Sequence, residues 1–198
     1  LGIAAATLDF NSTSAPTAAS YTLASYTGSL DATAFAAVNN LPTGYQLEFD
    51  ATNKLIKLVR NLYDSWSTTY GLSGANAVFD ADPDHDGLRN GLEWILGGNP
   101  NSTSGSVAPT PTLNSAKDLV VTFNRSEDSI GAATLMLEYS TNLSAWPQVT
   151  IGATSSGPDA NGISVTINTT PSPDIVTVTI PASSASSGRI FTRLNARK

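Results

Sequence analysis

Short runs in which apolar and polar residues alternate recur along this chain, and they constrain its fold more than any other feature. In one run, Tyr45, Leu47 and Phe49 fall on one face of an extended strand, and Gln46 and Glu48 fall on the other. Such a strand buries one face and leaves the other in water. Turn-forming Gly, Pro, Asn and Asp separate the runs. The alternation therefore predicts a mainly β protein.

The runs form two groups along the chain. Strand-like runs in the first group occupy 20–26, 44–50 and 54–59. Those in the second group occupy 118–124, 134–140, 162–168, 174–181 and 189–194. The spacing of the second group is typical of an antiparallel β-sandwich. We therefore predict a β-strand-rich segment over 1–60 and a β-sandwich domain over 105–198.

Between the two groups the periodicity becomes helical. Leu62, Trp66 and Tyr70 are spaced for one side of a helix, and Gly71 follows as a stop signal. The run NGLEWIL predicts a second short helix over 90–96, which two glycines and a proline terminate. A polar stretch rich in Ser, Thr and Pro follows over 101–112 and is predicted to be a linker.

Composition excludes several classes of function. A net charge of −6, with only 10 Lys and Arg and no basic run, makes a nucleic-acid partner improbable. The absence of cysteine excludes disulfides, thiolate metal sites and thiol nucleophiles. No apolar stretch reaches the roughly 20 residues of a membrane span. The chain starts at Leu1 without a methionine, so we expect it to be a mature or excised part of a longer precursor.

Four aspartates crowd into the seven positions from Asp80 to Asp86. Carboxylates held this close repel one another, and a bound cation relieves that repulsion. The residues also match the ligand spacing of an EF-hand loop, with acidic side chains at positions 1, 3 and 5, glycine at 6, a backbone carbonyl at 7, Asn at 9 and Glu at 12. The predicted Ca²⁺ ligands are accordingly Asp82, Asp84, Asp86, Leu88, Asn90 and Glu93.

Two features limit this prediction. Aspartates also favour helix N-termini through capping and the helix dipole, so an acidic loop without an ion is the alternative. Paired EF-hands carry an apolar residue at position 8, whereas this loop has Arg89 there, and no second such loop exists in the sequence. We therefore predict a solitary structural site rather than a cooperative calcium sensor.

The stretch FDADPDHDGLRNGLEWILGGNP resembles the calcium loops of thrombospondin type 3 and dockerin-like proteins. The segment 21–59 before it is similar to the closing segment of autotransporter-associated β-strand repeat (PEP-CTERM-like) proteins, which are large secreted bacterial proteins. The runs LEYSTNLSAW and RIFTRLNA are similar to the C-terminal β-sandwich of the same proteins. The resemblance implies a β-solenoid-like end segment over 1–60, a helix–calcium loop–helix linker over 61–104 and a secreted or cell-surface location in bacteria. It implies no catalytic residues.

Candidate catalytic groups are sparse. The single histidine, His85, occupies loop position 4, whose side chain points away from the ion. Glycoside hydrolysis requires a pair of carboxylates, for which the sequence offers Glu48, Glu127 and Glu138. Nothing in their spacing favours this reaction. We therefore predict that the protein is not an enzyme.

Two other classes of function stay open from the sequence. A secreted β-sandwich can bind carbohydrate through exposed aromatic residues, for which Trp146 and Tyr139 are the candidates, although burial in a core is the commoner role. A calcium-stabilised structural protein accounts for more of the sequence, because β edges with few charges favour strand addition between chains. The expected partners are therefore further copies of the chain, in a filament or surface layer, or a cell-surface polysaccharide.

Overall fold

A computed structural model describes residues 2–11, 16, 18, 20–32, 34–42, 44–170, 172–185 and 188–198. It divides the chain into two compact units, Leu1–Ser65 and Trp66–Lys198. Both units consist mainly of β-strands, and most of the sheets are antiparallel. The predicted β class is therefore confirmed. The predicted division into three segments, with boundaries after 60 and 104, stays a prediction.

The first unit contains two separate sheets. β1 (Thr7–Asp9) and β3 (Ala37–Asn39) form a parallel pair. β2 (Ser20–Ser25), β4 (Tyr45–Asp50) and β5 (Leu55–Arg60) form an antiparallel sheet in the order β2-β5-β4. Among the described residues there is one parallel pair and no series of stacked parallel rungs. The solenoid-like part of the fold prediction is therefore not confirmed.

The hairpin from β4 to β5 follows from its alternating sequence. Tyr45, Ile56 and Leu58 are buried, whereas Gln46 and Glu48 are exposed. The register pairs residue 49 with 56 and residue 47 with 58, which puts apolar side chains opposite one another on a single face. Burial of this face fixes the register, because a slip of one residue would turn every apolar side chain toward water.

Helix α1 (Leu62–Thr69) spans the boundary between the two units. Asn61 begins it, because the Asn61 side-chain oxygen accepts a hydrogen bond from the Asp64 N–H at 3.2 Å. Gly71 ends it with a positive φ of 70°, a conformation that favours glycine. The predicted helix and its stop signal are both confirmed.

The second unit contains helix α2 (Asn90–Leu96) and two antiparallel sheets. The four-stranded sheet has the order β10-β11-β7-β6, and the three-stranded sheet has the order β12-β8-β9. Their strands are β6 (Thr110–Leu113), β7 (Leu119–Arg125), β8 (Thr134–Ser140), β9 (Gln148–Ile151), β10 (Ser164–Asn168), β11 (Asp174–Ile180) and β12 (Phe191–Arg197).

One face of the four-stranded sheet supplies much of the core of this unit. Alternate residues of β11 are buried from Asp174 to Ile180, and their partners across the ladder include Val121 and Phe123 of β7. A strict alternation of this kind is typical of a sheet with one covered face. The packing of the two sheets as a sandwich stays a prediction.

The structure departs from the sequence-based assignment at three places. The predicted linker over 101–112 contains a 3₁₀ turn at Gly105–Val107 and the start of β6. Strand β9 was not predicted, because Pro147 and the turn before it mask a short run of only four residues. The short strands β1 and β3 were also missed. In the part of the chain that the structure describes, no helix is long and apolar enough to cross a membrane.

Candidate metal centre

The acidic loop between α1 and α2 brings three of the predicted ligands together. Asp82, Asp84 and Asp86 each offer a carboxylate oxygen, and these oxygens all lie within 4.8 Å of one another. All three residues are half-buried. This group of three could hold a metal ion, because carboxylate oxygens at such separations would otherwise repel one another strongly.

Backbone N–H groups orient the three carboxylates. The N–H groups of Gly87, Asp86 and Leu88 donate to Asp82 Oδ2, Asp84 Oδ1 and Asp86 Oδ1, at 3.1, 3.2 and 2.7 Å respectively. These bonds leave Asp82 Oδ1 and Asp84 Oδ2 buried without a hydrogen-bond partner. Each of these two aspartates therefore has one oxygen held by the loop and one oxygen free for a ligand.

Glu93 adds a fourth carboxylate from the first turn of α2. Glu93 is fully buried, and neither its Oε1 nor its Oε2 has a hydrogen-bond partner. Burial is the main cause that raises the pKa of Glu93 to about 7; the nearby Ser104 hydroxyl opposes the rise, and repulsion from the three aspartates of the loop adds to it. A fully buried carboxylate without a partner is costly, and it is the second observation, besides the aspartate group, that points to a cation.

The two remaining predicted ligands, Asn90 and Leu88, differ in burial and in hydrogen bonding. Asn90 is fully buried, and its amide nitrogen donates to the carbonyls of Asn76 and Val78 at 2.7 and 3.0 Å. Its Oδ1 has no partner. Leu88 is half-buried, and its N–H is used by Asp86. Asn90 thus also anchors the segment before the loop, a role that the ligand prediction did not include.

His85 lies where the sequence predicted it, on the outside of the loop. His85 is exposed and has a φ of 60°, a left-handed conformation that few residues other than glycine adopt, although histidine is among those that adopt it more often. Gly87 follows with a φ of 91°, which meets the glycine requirement of the turn. The loop therefore bends twice through left-handed backbone within three residues, and this curvature draws the alternate aspartates toward one point.

A close contact positions the helix that carries Glu93. A Cβ at Gly91 would lie 2.2 Å from the Phe79 ring, so only glycine allows this approach. The Gly91 N–H donates to the Phe79 carbonyl at 2.8 Å, and the Phe79 ring meets Trp94 edge-on with centroids 6.4 Å apart. These contacts hold the start of α2 against the turn that enters the loop.

Ser104 connects the acidic loop to the segment that leads into the β-sheets. Its backbone N–H donates to Asp86 Oδ2 at 2.5 Å, across 18 residues of sequence. Its hydroxyl accepts a hydrogen bond from the Asn99 N–H at 2.8 Å. Sequence reasoning missed this contact, and no sequence signal could have found it, because the donor is a backbone group. The loop is therefore tied to the chain that leads into β6.

The α2 helix also joins the loop to the sheets of its own unit. It packs against β7 and β12, and the Ser126 N–H donates to the Ile95 carbonyl at 2.7 Å. Ile95 is fully buried. The candidate metal centre is therefore part of the same packed unit as the two antiparallel sheets.

The other residues singled out in the sequence lie apart from the acidic loop. Trp146 is half-buried, its indole N–H donates to the Leu143 carbonyl, and the Arg193 guanidinium lies 4.1 Å from its ring centroid. Tyr139 is half-buried on β8. Glu138 is buried and binds Arg193. The remaining carboxylates, Glu48 and Glu127, are exposed.

The donor set fits a hard divalent cation. Every candidate ligand is an oxygen, and three of the carboxylates at this site have buried oxygens without hydrogen bonds, namely Asp82, Asp84 and Glu93. No ligating nitrogen faces the group, because His85 is exposed on the outside of the loop. The chain matches no protein-family model, no curated protein and no solved structure. The chemistry of this site therefore carries the functional argument.

Proposed function

We propose that this protein is an extracellular structural protein of the bacterial surface that Ca²⁺ stabilises. One observation carries the proposal: Glu93 is fully buried with two unpartnered oxygens, beside aspartates that also have unpartnered oxygens. Burying such a group without compensation would cost several kcal/mol. A bound divalent cation supplies the missing positive charge.

Calcium is favoured over other divalent cations. It accepts an irregular shell of six to eight oxygens, whereas Mg²⁺ prefers a strict octahedron and keeps several of its waters. In this proposal Asp82, Asp84, Asp86 and Glu93 supply charged oxygens, with the Leu88 carbonyl and Asn90 completing the shell. Solitary sites in extracellular modules bind calcium at roughly 10⁻⁴ to 10⁻³ M, which matches a compartment where calcium is always abundant.

The structural role follows from where the loop is attached. Asp86 holds the Ser104 backbone, and α2 packs on β7 and β12. A cation in the loop therefore fastens the helix and the following chain to the sheets. The exposed strand edges and the weakly charged surface support assembly with further copies of the chain as a filament or surface layer. The proposal assigns no catalytic residue.

Isothermal titration calorimetry tests the calcium assignment. We expect one site per chain in the wild type and at least tenfold weaker binding in Glu93→Gln, which removes a charged bidentate ligand. His85→Ala is the matched control within the same loop, and its affinity should equal that of the wild type. Equal calcium affinity in the wild type and Glu93→Gln, or no binding at millimolar calcium, would disprove the assignment.

A carbohydrate-binding module is the second candidate. Trp146 is only half-buried, so part of its ring is available at the surface. Against this, Arg193 already stacks on the ring and leaves less of it for a sugar. Titration of a polysaccharide panel, followed by tryptophan fluorescence, separates the two functions. Saturable quenching that Trp146→Ala abolishes would favour the carbohydrate module.

A further inference from the structure

A groove in the second unit runs beside the free edge of β12. It encloses about 420 Å³, and Arg193, Leu194, Asn195 and Ala196 form one wall. Successive side chains of a strand point to opposite faces, so four consecutive residues share a wall only when the backbone edge itself faces the groove. β12 pairs with β8 on its other side, and no described strand pairs with this edge.

The opposite wall comes from the candidate metal centre. Gly87 of the acidic loop lines the groove together with Arg89, Gly91 and Leu92 at the start of α2. The width of the groove therefore depends on the conformation of the loop. A cation that orders the loop would also set the distance between this wall and the β12 edge.

The groove has a basic rim on an acidic chain. The side chains of Arg89 and Arg193 are 64% and 55% exposed, although each has one carboxylate neighbour, Asp80 and Glu138 respectively, and Asp80 itself lines the groove. Arg193 uses only its Nε for Glu138, which leaves its terminal N–H groups for another acceptor. Beyond Asp174 the sequence has three arginines, one lysine and no acidic residue. An acidic occupant is therefore favoured.

We propose that the β12 groove binds the edge of β4 from a second copy of this chain by strand addition. β4 is itself an edge strand, because it pairs only with β5 among the described residues. It carries two carboxylates two residues apart, Glu48 and Asp50, which both contact Lys57; the Glu48 side chain is 48% exposed and that of Asp50 only 14%. The backbone edges supply the hydrogen bonds, and the exposed Glu48 carboxylate, which Lys57 contacts through Oε1, meets the arginine rim.

This contact joins unlike surfaces. β4 belongs to the first unit and β12 to the second. Each bound copy therefore still presents one free β4 edge and one free β12 edge, which is the condition for a growing chain of subunits or a closed ring. The inference rests on the proposed function, because calcium shapes one wall of the groove.

Sedimentation velocity of the full chain at saturating calcium tests the inference. We expect the wild type to form oligomers that grow with protein concentration. Arg89→Glu should shift them toward monomer, with at least a tenfold increase in the apparent dissociation constant, because it places a like charge opposite Glu48. Mixing Arg89→Glu with Glu48→Arg should restore association, since the pair of charges is then reversed.

The control is Arg189→Glu, which makes the same charge change at an exposed residue that does not line the groove. It should associate like the wild type. Calorimetry on each variant establishes calcium binding independently. A wild type that binds calcium but stays monomeric, or oligomers that Arg89→Glu leaves intact, would overturn the strand-addition proposal alone. Binding of an acidic polysaccharide that depends on Arg89, in a chain that does not self-associate, would also overturn it.

Discussion

Two regions of the second unit bury carboxylates, and they compensate the charge in different ways. On the paired strands β7 and β11, Asp174 is 1% exposed and lies 2.6 Å from the guanidinium of Arg125, which is 2% exposed. In the acidic loop, Glu93 is fully buried, but neither of its oxygens has a hydrogen-bond partner. Asp174 Oδ1 and Arg125 Nε also lack hydrogen-bond partners, but the two opposite charges make the first region neutral by itself. The second region has an excess of negative charge.

The difference shows that one part of a fold can depend on an ion from solution while another part does not. Arg125 is part of the chain, so the ion pair with Asp174 is present whenever the strands are paired. The acidic loop has no comparable cation, because the nearest arginine in sequence, Arg89, points to exposed Asp80. The sheets should therefore be stable without an ion, and the loop should require one.

The largest expected effect comes from removing Arg125. Arg125→Met should destabilise the second unit by about 3–5 kcal/mol, because it leaves Asp174 buried without its partner. Chemical denaturation should give the same loss with calcium and with chelator. The double variant Arg125→Met/Asp174→Leu should recover most of the stability. A loss that depends on calcium would contradict the independence of the two regions.

Calcium removal should have the next largest effect. At a hundredfold excess over the dissociation constant, calcium should stabilise the second unit by about 2.7 kcal/mol. Differential scanning calorimetry should show its transition roughly 5–10 °C higher in calcium than in chelator. The transition of the first unit serves as the internal control, since it contains none of the ligands. If chelator does not change the transition temperature of the second unit, the calcium assignment is wrong.

Limited proteolysis should sharpen the comparison at the segment 101–112. This segment was predicted as a linker, and Ser104 within it is held by Asp86 of the loop. We expect several-fold faster cleavage there in chelator than in calcium, because loosening of the loop releases the segment. Cleavage within β7 and β8 should stay slow in both conditions. Equal cleavage rates at 101–112 would show that the loop does not control this segment.

The smallest expected effect concerns Glu138, a buried carboxylate that has partners. Hydrogen bonds from Asn195 and Arg193 lower the pKa of Glu138 below its ordinary value of 4.5. A lowered pKa in the folded state stabilises the fold above the unfolded pKa, and this contribution is lost as the pH falls through the folded pKa. Lowering the pH from 7 into the acid range should therefore cost the wild type more stability than it costs the Glu138→Gln variant. Chemical denaturation at each pH measures both losses. Identical pH profiles would contradict this.

Much of the fold could be predicted from the sequence, because local patterns decide local structure. The alternation in β4, β7 and β11 predicted strands, and Gly71 and Gly97 predicted the ends of the two helices. Strands with few residues were missed, because three or four positions do not establish a period. The edge strands β1, β3 and β9 belong to this class.

For the candidate site, the sequence by itself determined which residues could bind a cation. Their types and spacing are local properties, since the ligands lie within twelve consecutive positions from Asp82 to Glu93. Only the tertiary structure decided which oxygens are free. The burial of Glu93, the close fit of Gly91 to Phe79 and the bond from Ser104 depend on segments that meet through packing. Distance along the chain does not specify such contacts, because burial is a property of the whole folded unit.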